Sequence, residues 1–420
     1  MKFIGPGEPF AARVEAPGDK SLSHRALFLA AMASGTSRIS GLGRGRDVSA
    51  TRSALRAVGV DIDGEAVRSP GVDRWRPPVA AIDTANSATT MRLLAGAVAG
   101  QEFTTTITGD ASLMVRPMQR LVEPLRELGA TVEVSPSGTP PISVIGGPLI
   151  GTALEIPIPS AQVRTASVLA AIQAEGVTTL DSPPGYRDHT ERWLAHLGLG
   201  TALPDGRFEI RPGPVPALEL AIPGDPSAAA FLWVAAAIVP GARVETPGVS
   251  LNPGRTGILE ALGAMGADVT AVVTGEILGD PVGDVTVGGA ALRGIEVTGV
   301  SSTRSLDELP VLAIAAAHAH GPTIVRDAGE LRTKESDRVS ATVAMIRALD
   351  GTAEEWEDGF TIDGGRLRGG AVDARGDHRI AMAAAVAASA GAEVEIDGFD
   401  AVRVSWPGFA AVLEAMWSSR

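Results

Sequence analysis

The chain of 420 residues contains no cysteine. That excludes disulfides, thiolate metal sites and a cysteine nucleophile, and it fits a cytoplasmic protein. Aromatic residues are scarce at 4% and tyrosine occurs once. With a net charge of −13 and no Lys/Arg-rich stripe, this argues against a nucleic-acid partner. Long hydrophobic runs are also missing. The Ala-rich stretch Ser227–Val239 is too short to span a bilayer, so no membrane partner is expected. The opening MKFIGPGEPF has no apolar core of the signal-peptide kind, so no signal peptide is expected. Lysine is the rarest charged residue, present only as Lys2, Lys20 and Lys334, while arginine supplies the remaining basic charge. Two of these three compact ammonium groups fall inside the densest polar motifs of the chain.

What the sequence has in quantity is repetition. Segments beginning near Pro17, Asn86, Ser160, Gly224, Ser305 and Gly376 each run from a polar turn into an Ala/Leu-rich stretch, then a break, then β-branched residues. Between them lie segments such as DVSATRSALRAVGVDI and RTGILEALGAMGADVTAVV, with apolar residues at helical spacing, then Gly, then a short alternating strand. The pattern predicts six α/β units, each roughly 65–80 residues long. One such unit buries its core poorly, whereas three packed around a common axis bury it well, which predicts two domains of three units. The expected boundaries are 17–223 for one domain and 1–16 plus 224–420 for the other. The first strand, taken as Lys2–Glu15, is expected to close the second ring, with hinges near 17–20 and 222–226.

The polar residues sit at the same edge of each repeat, at a predicted helix N-terminus, where unpaired N–H groups and the helix dipole favour anions. In Pro17-Gly18-Asp19-Lys20-Ser21-Leu22-Ser23-His24-Arg25, the residues Lys20, Ser21 and Arg25 bring a charge, a hydroxyl and a guanidinium to one helix start, a set suited to phosphate or carboxylate. Asn86-Ser87-Ala88-Thr89 presents small residues that let a ligand approach the backbone, although Asn86 or Ser87 also reads as a plain cap. Ser160-Ala161-Gln162 reads as an N-cap, and Arg116-Pro117 as a loop entering a helix. Arg332-Thr333-Lys334-Glu335-Ser336-Asp337-Arg338 is read as opening a helix on which Lys334 and Arg338, four apart, share a face and Glu335 is flanked by cations. Asp307-Glu308 and Asp377-His378-Arg379 stand before nearly charge-free helices. A carboxylate among so many cations is a counter-ion or a general base. The six histidines show no metal-ligand spacing, and neither metal nor cofactor is expected. Together these motifs predict a site for two anionic small molecules, at least one of them phosphorylated.

On these residues the chain resembles the enolpyruvyl transferase family, in the branch that acts on shikimate 3-phosphate. The motifs that carry the resemblance are PGDKSLSHR, NSATTMRL, the Arg-Pro at Arg116, SAQVR, RDHTER, PGDPSAAAF, DELP, RTKESDR and DHRIAM, in order along nearly the whole chain. The resemblance implies a two-domain α/β fold of six βαβαββ-type units, three per domain, with the active site in the cleft between them. It implies transfer of the enolpyruvyl group of phosphoenolpyruvate to the 5-hydroxyl of shikimate 3-phosphate, through a tetrahedral intermediate that loses phosphate. The residue roles it implies are these. Lys20 touches both substrates. Ser21, Arg25, Ser160, Ala161, Gln162, Asp307 and Lys334 hold shikimate 3-phosphate. Asn86, Ala88, Arg116, Gln162, Arg338 and Arg379 line the phosphoenolpyruvate pocket. Asp307 takes the 5-hydroxyl proton, and Glu335, with Lys20, moves protons at the methylene carbon. A monomer is expected.

Three positions depart from the family pattern. Ala88 stands where many members have Gly, which implies reduced sensitivity to glyphosate. Arg403 is the nearest cation to a lysine that many members carry near the last motif. Glu330 replaces an Asn found in some. Two other acceptors fit part of the pattern. The UDP-N-acetylglucosamine branch uses a loop cysteine and a Lys-Asn pair, against no cysteine and Lys20-Ser21 here. A paralogue acting on another cyclitol phosphate differs by only a few acceptor contacts. A silent anion-binding protein would not need Lys20, Asp307 and Glu335 together.

Overall fold

A polar turn followed by an uninterrupted run of Ala, Leu and Val forms a helix that is apolar on every side, and such a helix is stable only when buried all round. The computed structural model, which describes residues 1–157, 160–181 and 187–419, contains six helices buried on nearly every side, four of which also carry buried Arg or His near their starts. They divide between two compact units. One comprises 18–222 together with 277–280, and the other 1–17, 223–276 and 281–420. The chain therefore passes between units at 17/18, 222/223, 276/277 and 280/281. No helix among the described residues is long and apolar enough to cross a membrane.

The first unit holds α1 (Lys20–Met32), α2 (Arg46–Ala57), α3 (Ala88–Val98), α4 (Val122–Glu127), α5 (Ala161–Ala171) and α6 (His189–His196). Of these, α1, α3 and α5 are buried over almost their whole length. Helices α3 and α5 approach so closely that a Cβ on Gly96 would lie 2.1 Å from the carbonyl oxygen of Ala166, so only glycine fits there. Three four-stranded sheets surround this core. In each, the strand after the central helix pairs parallel with the strand that opens the repeat and antiparallel with a hairpin. The opening strand of the first repeat, Glu219–Ala221, comes from the far end of the unit and closes the ring on Ser34–Ser40.

The second unit holds α7 (Pro226–Ala237), α8 (Gly257–Met265), α9 (Val300–Ser305), α10 (Leu309–Ala317), α11 (Arg338–Ala348), α12 (His378–Ala387) and α13 (Phe409–Trp417). Here α7, α10 and α12 form the buried centre. The N-terminal segment is two strands rather than the one expected over Lys2–Glu15. Gly5-Pro6-Gly7 and Pro9 interrupt it, since proline lacks the N–H a ladder needs. Lys2–Ile4 pairs antiparallel with Glu393–Asp397, whereas Ala11–Arg13 pairs parallel with Arg243–Ser250, so one segment completes two sheets. The fold is thus the six-unit α/β arrangement expected from the repeats.

Candidate active site

The N-termini of the central helices are capped, at Ser87 and Ser160 as their sequences suggest. Asp19 caps α1 through Leu22 N at 2.8 Å, Ser87 caps α3 through Thr90 N, and Ser160 caps α5 through Val163 N. In the second unit Asp225 caps α7 and Asp377 caps α12. With caps already taking N–H groups, and three of them carboxylates, attraction for an anion comes mainly from side-chain cations.

In the first unit those cations gather where α1, α3 and α5 begin. Lys20 Nζ donates to Asp47 Oδ2 at 2.9 Å, and Asp47 belongs to the first turn of α2. The Arg25 side chain is buried and spread over three acceptors: Thr190 Oγ1 at 2.8 Å, Thr165 Oγ1 at 2.9 Å and the carbonyl of Ser21 at 3.0 Å. Three bonds leave part of its five-donor fork for a ligand. Burial lowers the Arg25 guanidinium to about 10, so it is still a cation at neutral pH. Burial, with Lys20 and Arg25 beside it, also pushes His24 well below the usual imidazole range and keeps it neutral. Its Nδ1 meets Thr51 Oγ1 at 2.7 Å, in a hydroxyl chain that continues through Thr90 to Ser87.

Gln162 is the junction between α5 and α3. Its Oε1 accepts from Arg92 Nη1, and its Nε2 donates to Thr89 Oγ1 at 2.8 Å. Arg92 Nη2 in turn holds the Pro117 carbonyl at 3.1 Å, which fixes the loop carrying Arg116. The structure thus brings Lys20, Ser21, Arg25, Asn86, Ala88, Arg116, Ser160, Ala161 and Gln162 to the same ends of the three central helices. A cavity of about 720 Å³ in this unit lies at the opposite ends, lined by Met32, Gln101, Ile172 and Gln173 among others. Charge, not cavity size, marks the candidate site.

The second unit offers a carboxylate cluster around one guanidinium. Arg338, the first residue of α11, is 1% exposed. Its Nε donates to Asp377 Oδ2 at 2.8 Å, its Nη2 to Glu335 Oε2 at 2.5 Å and its Nη1 to Asp307 Oδ1 at 3.2 Å. Burial alone would lower this guanidinium, but Asp377, Glu335 and Asp307 together outweigh it and raise it. Arg379 joins the cluster through the Asp307 carbonyl at 2.9 Å and the Asp307 carboxylate at 3.7 Å. Glu308 accepts from Ser227 Oγ, and Arg255 bonds both Ser227 and Asp225, so the starts of α7 and α10 are tied together.

One expectation needs correction here. The run Arg332–Arg338 is not one helix. Gly329–Thr333 is a 3-10 turn, Lys334 is extended, and α11 starts only after Asp337, which caps Val339 N and Ser340 N at 3.1 Å. Lys334 and Arg338 therefore do not share a helical face. Lys334 still feels Asp307, Glu330 and Glu335, although burial is the larger influence and lowers its ammonium. Arg403 is exposed on the 3-10 segment Phe399–Val404. Asp47, Thr165 and Thr190 contact the candidate residues Lys20 and Arg25, and no motif marks them, because each pairs across 25 or more positions in sequence. No group of three or more His, Asp or Glu among the described residues is placed to hold a metal ion.

A family model for EPSP synthase (3-phosphoshikimate 1-carboxyvinyltransferase) matches residues 4–413. The chain is 47% identical to a 3-phosphoshikimate 1-carboxyvinyltransferase of Roseiflexus sp. (strain RS-1) over 423 aligned residues, 98% of each protein. It is 43% identical to the protein of that name from Methylococcus capsulatus, over 96% of this chain and 94% of the relative. Among solved structures, the EPSP synthase of Acinetobacter baumannii superposes with a TM-score of 0.87 at 36% identity, covering 99% of this chain and 97% of that one. The enolpyruvyl transferase NikO from Streptomyces tendae shares the fold, with a TM-score of 0.76 at 19% identity.

Proposed function

The chain belongs to the EPSP synthase (3-phosphoshikimate 1-carboxyvinyltransferase) family, a transferase family of the shikimate pathway, and from that premise we propose how its residues carry out the transfer. The substrates are phosphoenolpyruvate and shikimate 3-phosphate. The 5-hydroxyl oxygen bonds to C2 of phosphoenolpyruvate while C3 gains a proton. The tetrahedral adduct then loses a proton from C3, the C2–O bond to phosphate breaks, and the enolpyruvyl ether and inorganic phosphate leave. Bringing two anions together against their repulsion is the main task, and fixed cations perform it.

Ser21, Arg25, Ser160, Ala161, Gln162 and Lys334 receive shikimate 3-phosphate in this reading. Asn86, Ala88, Arg116, Gln162, Arg338, Arg379 and Arg403 receive phosphoenolpyruvate, and Lys20 contacts both. Asp307 accepts the 5-hydroxyl proton. Glu335, with Lys20, moves the protons at C3.

The observation that carries this reading is the sharing of Arg338 by Asp307, Glu335 and Asp377. Asp377 is fully buried and serves as the fixed anchor. Asp307 and Glu335 keep 17% and 19% of their side chains exposed. An incoming phosphate or carboxylate takes their places on the guanidinium. Binding of the anion then releases both carboxylates for proton transfer at the moment they are needed. The deciding experiment is phosphate release from phosphoenolpyruvate by purified protein in EDTA. Release that requires shikimate 3-phosphate supports the reading. Binding of both ligands without release points to a different cyclitol phosphate as acceptor.

A further inference from the structure

The first turn of α6 is a polar hub. His189, Thr190 and Glu191 are consecutive and buried, and each side chain is bound to a different part of the unit. His189 Nδ1 meets Asp280 Oδ2 at 2.8 Å. Thr190 Oγ1 accepts from Arg25 Nε at 2.8 Å and lies 2.7 Å from Thr165 Oγ1. Glu191 Oε1 accepts from Arg164 Nε at 2.6 Å.

Asp280 is the unusual member. It lies outside 18–222 in sequence, arriving with the four residues 277–280 that cluster with the first unit. Its carboxylate and the His189 ring are both 0% exposed, and a buried carboxylate is costly unless paired. The turn before it is costly too. Leu278 and Gly279, between the strands Asp268–Ile277 and Asp280–Gly288, have φ of 47° and 80°. A two-residue hairpin turn of this kind suits Asn-Gly, not a leucine. Arg192, one turn into α6, holds the turn from the other side. Its Nη1 is 3.4 Å from the Gly279 carbonyl and its Nε 3.8 Å from Asp280 Oδ1. Strain of this sort persists only where the surroundings fix it. What it fixes here is the turn that carries Thr190, and Thr190 is the acceptor for Arg25 Nε. Asp280 also favours the Arg25 cation electrostatically.

We propose that Asp280 is a positioning residue for Arg25: through His189 it holds the first turn of α6, and through Thr190 that turn aims the guanidinium at the phosphorylated acceptor. The proposal rests on the reading that Arg25 binds shikimate 3-phosphate.

The test is a double-mutant cycle on Asp280→Ala and Thr190→Val. Calorimetry gives the Kd of shikimate 3-phosphate, and steady-state kinetics gives KM for each substrate. Each single variant is expected to weaken shikimate 3-phosphate binding about tenfold while the KM of phosphoenolpyruvate moves less than about twofold, because the effect runs through one guanidinium. The double variant is expected to bind no more weakly than the poorer single, because both act through the same turn. Unchanged acceptor affinity in Asp280→Ala, equal losses for both substrates, or single effects that multiply would each overturn the proposal. If Asp280→Ala does not fold cooperatively, Asp280→Asn, which keeps the volume and an acceptor for His189, replaces it in the cycle and is judged by the same non-additivity. Arg25→Ala separates the two levels. Retained acceptor binding in that variant refutes the underlying reading, whereas loss there with unchanged binding in the Asp280 variants refutes the positioning role alone.

Discussion

Arg338 and Asp377 form a buried two-point ion pair, with Nε 2.8 Å from Oδ2 and Nη2 3.2 Å from Oδ1, and the side chains are 1% and 0% exposed. Asp377 is also the N-cap of α12, through Arg379 N at 2.9 Å, and accepts from Ser336 Oγ at 3.0 Å. One carboxylate thus sets the start of α12, the position of Arg338 and the segment bearing Glu335. Removing it takes from buried Arg338 its one fully buried partner, leaving only the part-exposed Asp307 and Glu335, and it leaves α12 uncapped. Asp377→Ala is expected to lower unfolding free energy by about 3–5 kcal/mol. Urea denaturation measures this, and a loss under about 1 kcal/mol would show that the pair contributes little.

The same pair sets an acid limit. Burial acts to raise the Asp377 carboxyl, but the charge and hydrogen bonds of Arg338 outweigh it and hold it below its ordinary value of 3.8. A carboxylate depressed in the folded state contributes stability that is complete above the unfolded value and is lost as pH falls through the folded one. This loss therefore lies below about pH 4. The buried imidazoles act earlier. His24, His189 and His318 are all held below 6.5 by burial. Below pH 6.5 the unfolded chain takes up protons that the folded protein refuses, so stability falls with acidification. Between pH 6.5 and 5 the slope is expected to approach about 1.4 kcal/mol per pH unit for each histidine that stays neutral. Urea midpoints at pH 7.5, 6 and 5 measure it. His24→Asn is expected to flatten the slope, and an unchanged slope would show that His24 takes up a proton in the folded protein.

The central helices were legible because each of their signals is local: a polar turn, a run of Ala and Leu, then a break. The sequence therefore placed Lys20, Ser160 and Arg379 at helix starts. Pairings across the chain left no such trace. Asp47 sits in an ordinary amphipathic helix, and nothing in its neighbours announces that it binds Lys20. Asp280 lies in a β-hairpin of the other unit's sequence and reads as a turn residue. The charged run Arg332–Arg338 fits helical spacing as well as it fits a turn, and only the capping bonds of Asp337 decide it. The break in the N-terminal strand is legible in Gly5-Pro6-Gly7.

Helix packing in the first unit supplies a prediction independent of chemistry. Gly96 faces the backbone of α5, and a methyl there would lie 2.1 Å from the Ala166 oxygen. Neither helix can retreat without disturbing a buried core. Gly96→Ala is expected to destabilise by about 1–3 kcal/mol through overpacking, although alanine favours helices over glycine. Differential scanning calorimetry would show the midpoint fall. A rise would mean that α3 and α5 separate at little cost.

The two exposed carboxylates on Arg338 distinguish an enzyme from a binder. In Glu335→Gln and Asp307→Asn the guanidinium keeps Asp377, so the anion pocket survives while a proton-transfer group is lost. Each variant is expected to lower kcat by roughly 10²–10⁴-fold while calorimetric affinity for shikimate 3-phosphate and phosphoenolpyruvate stays within about threefold. Equal losses of affinity and turnover would assign these residues to binding alone.

Ala88 opens α3 beside Asn86 and is 3% exposed, so its methyl is packed rather than free to turn aside. Glycine in its place leaves the backbone N–H groups of the helix start open to closer approach. An inhibitor bulkier than phosphoenolpyruvate, such as glyphosate, is expected to meet that methyl where phosphoenolpyruvate does not. Ala88→Gly is therefore expected to tighten glyphosate inhibition by at least about tenfold, or about 1.4 kcal/mol, with a much smaller change in the KM of phosphoenolpyruvate. Inhibition constants measured against phosphoenolpyruvate in both proteins decide it. Strong inhibition of the natural sequence, unchanged by the substitution, would show that the methyl does not reach the inhibitor.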